Sequence, residues 1–402
     1  MAISIGEKMT MKLATRMGRL GTETAFEVLV RARALEAQGR DVIHLEVGEP
    51  DFDTPQNVIE AGAHALRTGW THYGPAGGLP DLKQAIANYL NRSRGLSYGP
   101  ENIVVTPGGK PIMFFTILAL LEEGDEAIYP NPGFPIYESM INFTGATAVP
   151  APIREENGFA LDVEELATLI TPKTKLLIIN SPANPTSGVL NRAEIKRIAE
   201  LAVEHDLIVM ADEIYSEILY EGEHVSIATF PGMKERTIIL DGFSKTYAMT
   251  GWRLGYGAMP VEFAEVVTKL MVNSNSCTSM AVQRAGIEAL NGPQDDVKKM
   301  ISAFKGRRDL IVDGLNAIPG ITCLRPKGAF YAFPNISAVG KTSKQFADYL
   351  LSEHGVAAIA GTSFGKYGEG YLRLSYANSD ANLKRALERL AAAVKEAPAV
   401  AN

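Results

Sequence analysis

Apolar residues are arranged in two rhythms along the chain. From residue 102 to 241, short unbroken apolar runs recur: NIVVT (102–106), EAIYP (126–130), ATAVPAPI (146–153), KLLIIN (175–180), LIVMAD (207–212) and TIILD (237–241). The runs do not alternate with polar residues, which is the pattern of parallel strands covered on both faces. Helical stretches lie between them. KPIMFFTILALLEEG follows the first run, and RAEIKRIAELAVEH follows the loop after KLLIIN. Asn191 and Glu194 have the spacing of a capping box at the start of the latter helix. Strands alternating with helices predict an α/β domain, three-layer α/β/α, with a mostly parallel sheet.

The flanks read differently. Ala25 to Gln38 has Phe26, Leu29, Val30 and Leu35 close to helical spacing, and Gly39 supplies a stop. DVIHLEVG (41–48) reads as a short strand running into the turn-rich GEPDFDTP. Residues 294–320 read as one long helix closing at the Pro319-Gly320 turn. GAFYAFPNI (strand), TSKQFADYLLSEHG (helix), VAAIAG, YLRLSYA (strand) and a helix near 380–395 follow. This rhythm predicts a smaller α+β domain. The expected division is 49–300 for the large domain, with 1–48 and 301–402 forming the small one. The closing residues, APAVAN, read as a loose tail.

Composition narrows the class. At 402 residues the chain exceeds one ordinary core. Hydrophobic residues at 46% and charged residues at 21% are ordinary for a soluble globular protein. A net charge of −7 gives no electrostatic support to binding nucleic acid or an anionic membrane. No apolar run reaches the length of a membrane span. The N-terminal MAISIGEKMTMKLATRMGRL lacks the apolar core of a secretory signal, and Glu7 counts against a transit peptide, so a cytoplasmic location is expected. Cys277 and Cys323 read as structural thiols in a reducing compartment. The six histidines form no HxxxH or HxxE pattern, so no protein metal site is expected.

Candidate chemistry collects at the strand ends. KLLIIN ends at Asn180 and runs into SPANPTSG, LIVMAD ends at Asp212 inside DEIY, and TIILD ends at Asp241, four residues before Lys245. Ligands bind beyond the carboxyl ends of strands in open α/β sheets. Asn184, Asp212, Tyr215 and Lys245 are therefore expected on one crevice. NIVVT delivers Gly108 and Gly109 to a predicted helix N-terminus, with Pro111 in the first turn. Bare amides at the positive end of a helix dipole form an anion site, although strand-Gly-Gly-helix also serves plain turns. A lysine, an anion cradle and a carboxylate on one sheet edge describe pyridoxal 5'-phosphate (PLP) held as a Schiff base. The helix amides and Ser244 would hold the phosphate, and the carboxylate would keep the pyridine nitrogen protonated.

SKTYAMTGWRLGY (244–256) resembles the PLP-lysine segment of the class I/II aminotransferases, within the fold-type I group that resembles aspartate aminotransferase. GEPDFDTP (48–55), HYGPAGGLPDL (72–82), TPGGK (106–110), NPTSG (184–188), DEIY (212–215), GAFY (328–331) and LRLSY (372–376) resemble further family segments, in family order. The resemblance implies that Lys245 carries the cofactor as an internal aldimine and, once released, moves the proton. It implies that Asp212 is the pyridinium partner and that Tyr215 and Asn184 bond the phenolic oxygen. Arg253 and Ser244 would bind the phosphate. Arg373 would clamp the substrate α-carboxylate, with the backbone of Gly48 touching the same group. Phe134 stands where an aromatic stacks on the pyridine ring, a departure from the tryptophan or tyrosine often found there. Tyr73 would reach the phosphate of the neighbouring subunit of a homodimer with shared active sites.

Lys110 is the substrate clue, because in some family members a lysine after the paired glycines contacts a distal acidic group. The alternative is a helix N-terminal lysine facing water. The dicarboxylate enzymes that use a partner-chain arginine carry it in the region matching 272–280, which here reads VNSNSCTSM. The reaction implied moves an amino group between an L-amino acid and a 2-oxo acid such as 2-oxoglutarate, with aspartate or another acidic donor first. Aromatic, alanine or basic donors stay open, as does a C–S β-lyase on the same fold. A non-catalytic PLP-binding regulator is the reading from another class. Such proteins carry a DNA-binding domain, and the family-like region begins near residue 48.

Overall fold

The computed structural model describes residues 11–396. The expected loose tail (397–402) and the expectations that fall on residues 1–10, Glu7 included, lie outside the described residues.

The first strand, β1 (Ile43–His44), stands apart from the main sheet. That sheet has seven strands: β2 (Ile103–Thr106), β3 (Glu126–Asn131), β4 (Thr147–Pro152), β5 (Thr174–Asn180), β6 (Ile208–Asp212), β7 (Thr237–Gly242) and β8 (Gly255–Ala258). Their spatial order is β2-β8-β7-β6-β5-β3-β4. Strands β4, β3, β5, β6 and β7 pair in parallel, and β8 is antiparallel to both β2 and β7. The mostly parallel sheet is as expected. Strand β8, GYGA, carries two glycines and no apolar run, so the hydropathy pattern offers no strand there.

Helix α1 (Thr24–Glu36) precedes this part, whose own helices are α2 (Gln56–Arg67), α3 (Pro80–Arg94), α4 (Lys110–Leu120), α5 (Ile136–Thr144), α6 (Val163–Leu169), α7 (Arg192–Glu204), α8 (Val261–Ser274) and α9 (Met280–Asn291). They explain the unbroken apolar runs. Leu176 and Ile178 of β5 join a cluster with α4, α5 and α8. Their neighbours Leu177 and Ile179 face the other way, into a cluster with α6 and α7. In β2, Val104 belongs to the first face, whereas Ile103 and Val105 pack with α3 and α9. Successive side chains point to opposite faces, so a strand covered on both sides needs apolar residues at every position. Each such Leu or Ile contributes roughly 1.5–3 kcal/mol of burial.

The C-terminal part contains α10 (Asp295–Asn316), β9 (Tyr331–Ala332), α11 (Ser343–His354), β10 (Val356–Ala357), β11 (Ile359–Ala360), β12 (Leu372–Ser375) and α12 (Asp380–Glu396). Strands β11-β12-β9 form an antiparallel sheet, and β1 pairs in parallel with β10. Phe304, Leu315, Phe346 and Leu390 from its three helices meet in one core. Helix α1 packs here too, with Ala25, Val28 and Ala32 against Leu351, Ile359 and Phe364.

Two expected strands are shorter than the sequence suggests. GAFYAFPNI contributes only Tyr331–Ala332, because Ala329 takes a φ of 53° and Pro334 has no N–H to donate. DVIHLEVG contributes only Ile43–His44; beyond it Leu45 is shared, its N–H bonding to Ala357 and its carbonyl accepting from Ser375. The helix begun at Lys110 stops at Leu120, short of the expected Gly124, which takes a φ of 100° in the turn that follows.

Candidate active site

A cavity of about 680 Å³ opens at the carboxyl ends of β5, β6 and β7. Gly48, Gly109, Lys110, Phe134, Asn184, Asp212, Tyr215, Ser244, Lys245, Arg253 and Arg373 all line it. Two expected residues do not. Gly108 borders it behind Arg253. Tyr73 is 88% exposed and lies away from the cavity wall within one chain.

Strand β7 aims Lys245 into the cavity, where its Nζ donates to the Gly48 carbonyl at 2.5 Å. Burial, with the Arg373 charge nearby, holds the ammonium down at about 8. A Cβ at Gly48 would lie 2.2 Å from the Tyr331 hydroxyl, so glycine alone lets that carbonyl approach. Asp212 closes β6. It is 7% exposed, accepts from the Tyr137 hydroxyl, and has the Ile214 N–H at 3.3 Å. Burial pushes its carboxyl up to about 6. Tyr215 is buried with its hydroxyl 2.6 Å from that of Tyr331.

Arg373 comes from β12, across the cavity floor from a different sheet. It donates to the Asn184 side chain at 3.1 Å and to the Glu46 carbonyl, and its Nε, buried, has no partner among the described residues. Its guanidinium lies 4.6 Å from the Tyr331 ring centroid and 4.9 Å from that of Phe364. Two aromatic faces and two bonds hold it flat, as bidentate carboxylate binding requires.

The glycine turn before α4 is built by close approach. Gly108 has a φ of +88°, and a Cβ there would sit 2.1 Å from Arg253 Nη2. A Cβ at Gly255 on β8 would meet the Gly109 nitrogen at 2.4 Å. Arg253 itself takes a φ of 54°, a left-handed conformation that costs a non-glycine residue about 1–3 kcal/mol. It is spanned by a bond from its Nη1 to the Thr250 carbonyl at 2.8 Å. The Gly108 N–H is taken by the Thr106 carbonyl at 2.8 Å, so it is the Gly109 amide, the helix N-terminus and the guanidinium that meet at one corner. Lys110, the first residue of α4, is bonded to Glu23 at 2.6 Å, and its ammonium lies 5.4 Å from the Phe134 ring centroid. Phe134 packs edge-on to Tyr137 at 5.6 Å.

The hydropathy pattern gives no reason to single out Tyr331, Tyr137 or Glu23. Tyr331 falls inside the GAFY segment, which is a signal. Glu23 and Tyr137 act through partners 87 and 75 residues away, and nothing local marks them.

These residues fit PLP. The phosphate has a corner of donors from which a Cβ is excluded. The buried Asp212 carboxylate has no cationic partner among the described residues, and a protonated ring nitrogen would supply one. The Lys245 amine is held toward its neutral, nucleophilic form.

Sheet topology and cavity chemistry together define an enzyme of the PLP-dependent fold-type I class. The family model for aminotransferase class I and II matches residues 40–390, and the chain belongs to that family. An aspartate aminotransferase from Pyrococcus abyssi (strain GE5 / Orsay) is 43% identical over 361 residues, 89% of this chain and 92% of that protein. The solved aspartate aminotransferase from Thermus thermophilus with maleate superposes at a TM-score of 0.92 with 39% identity, covering 95% of this chain and 100% of that one. The aromatic aminotransferase from Pyrococcus horikoshii OT3 does so at 0.87 with 42% identity, covering 91% and 99%. The protein is a PLP-dependent aminotransferase.

Proposed function

We propose that the protein transfers the amino group of an acidic L-amino acid, aspartate first, to a 2-oxo acid such as 2-oxoglutarate, as a cytoplasmic homodimer. One observation carries the acidic preference: the cavity that holds Lys245 is lined by two further cations suited to carboxylates, Arg373 and Lys110. Arg373 takes the α-carboxylate together with Asn184 and the Gly48 backbone. Lys110 takes the distal one. Relatives named aspartate aminotransferase support this reading.

When bound, the cofactor supplies an aldehyde and a protonated ring that accepts electrons from the donor's Cα. The chain does the rest. Lys245 Nζ is the amine that would hold the aldehyde carbon, with the carbonyl oxygen leaving as water, and as a free amine it would move the proton from the donor's Cα. Asp212 keeps its charge beside the ring nitrogen. Tyr215 and Asn184 bond the phenolic oxygen, and Phe134 covers one ring face. The Gly109 amide, Ser244 and Arg253 would hold the phosphate, Gly108 would shape the turn beside it, and Tyr73 would reach it from the partner subunit. Residues 49–300 form the cofactor-holding domain, and 1–48 with 301–402 the second. The packing of α1 on the segment around Ile359 supports that division.

The test is a donor panel run with and without 2-oxoglutarate. Aspartate consumed only when the 2-oxo acid is present, with glutamate formed, supports the reading. Pyruvate and ammonia released from a cysteine conjugate without any 2-oxo acid would favour a C–S lyase instead. Bound cofactor with no turnover of any donor would favour a regulator.

A further inference from the structure

Glu23 stands at the N-cap of α1 in extended backbone, and its carboxylate makes no cap bond to its own helix. It bonds instead to Lys110 Nζ at 2.6 Å. Both residues line the cavity that contains Lys245 and Arg373. The helix behind Glu23 is anchored by Ala25, Val28 and Ala32 in a buried cluster, and by an ion pair from Arg31 to Asp348 at 2.6 Å. Glu23 is therefore a fixed carboxylate beside the ammonium.

We infer that Glu23 is a specificity-determining residue: an internal carboxylate that occupies Lys110 and that a donor's side-chain carboxylate must displace. The inference rests on the reading of Lys110 as the contact for that distal carboxylate. An ammonium that already has a carboxylate partner gains only the difference on exchanging it for another. The displaced Glu23 is then left near a second negative charge, which adds to the cost of exchange. Tethering gives Glu23 a high effective concentration, so it competes even though the pair is partly exposed and screened. A donor with a neutral side chain leaves the pair intact. The pair thus lowers the advantage of acidic donors over neutral ones and lets one cavity accept both.

The experiment compares Glu23→Gln with the natural protein in the PLP-loaded state. Two quantities are read. One is the ratio of single-turnover efficiencies for aspartate and alanine without acceptor. The other is the Kd of succinate, a dicarboxylate that cannot donate an amino group. The ratio should rise about three- to fivefold and succinate should bind tighter by a similar factor, the scale of a part-exposed ion pair. In a Lys110→Met background, Glu23→Gln should move both by less, because only the repulsion between the two carboxylates is then relieved. If Lys110→Met lowers both quantities while Glu23→Gln moves neither, the role of Glu23 is wrong and that of Lys110 stands. If Lys110→Met by itself changes neither, the reading of Lys110 fails and the inference falls with it.

Discussion

A carboxylate that serves the cofactor costs the empty protein stability. Asp212 is buried with a hydroxyl and an amide for partners, and its carboxyl is pushed up to about 6. In the unfolded chain it ionises near the ordinary carboxylate value. Between about pH 4 and 6 the folded state therefore holds more protons, and stability falls as pH rises through that window. Above it the penalty is complete. Asp212→Asn should raise the stability of the cofactor-free protein at pH 7 by about 1–3 kcal/mol, a gain that vanishes below about pH 4. Urea unfolding at the two pH values checks this. In the loaded protein the same variant should weaken PLP binding and slow transfer. Lys245→Ala should abolish borohydride-trapped cofactor on the 244–256 peptide, and trapping elsewhere on the chain would remove the assignment. At this scale the sequence was informative because Asn184, Asp212 and Lys245 lie at or just beyond the ends of apolar strands. Partners such as Glu23 and Tyr137 were hidden, since nothing near them in the chain signals what they touch.

Among the elements, the exits of β6 and β7 are tied together from behind the cavity. Arg94, the last residue of α3, donates to Asp241 and to Ser216 and lies 2.9 Å from Glu213. Asp241 is four residues from Lys245, and Glu213 adjoins Asp212. The Arg94 guanidinium stabilises two buried carboxylates, holding Glu213 below the usual range while burial keeps Asp241 raised. Arg94→Met would leave Asp241 without its cation and Glu213 with only His224 at 3.1 Å, and should cost about 3–5 kcal/mol, seen as a lower urea midpoint. The α7 start is a smaller case. Asn191 accepts from the Ala193 and Glu194 amides, and Glu194 returns a bond to the Asn191 amide. The capping box was readable from spacing because it is local. Asn191→Ala should cost about 1 kcal/mol. The Arg94 tie was unreadable, because it joins residues up to 147 apart.

For the molecule as a whole, a single chain leaves large apolar side chains exposed. Phe26, Leu66, Phe114, Leu118 and Val272 are among them, and Tyr73 is 88% exposed. Such a surface is expected to be covered by a second copy. If Tyr73 completes its partner's phosphate corner, Tyr73→Ala and Lys245→Ala proteins should each be impaired alone. Refolding the two as a mixture should regain activity, because each hybrid contains one site with both residues intact. A mixture no more active than its parts would place Tyr73 outside the site.

By itself the sequence determined the parallel strands of the main sheet and which of their ends carry reactive groups. Two-sided burial and local capping leave their pattern in neighbouring positions. Only the tertiary structure decided that Arg373 from a second sheet meets Asn184, that β8 backs the glycine turn, and that Lys110 is bonded to Glu23. Those contacts join distant segments, and their energy depends on where the fold brings the segments together, which no local pattern encodes.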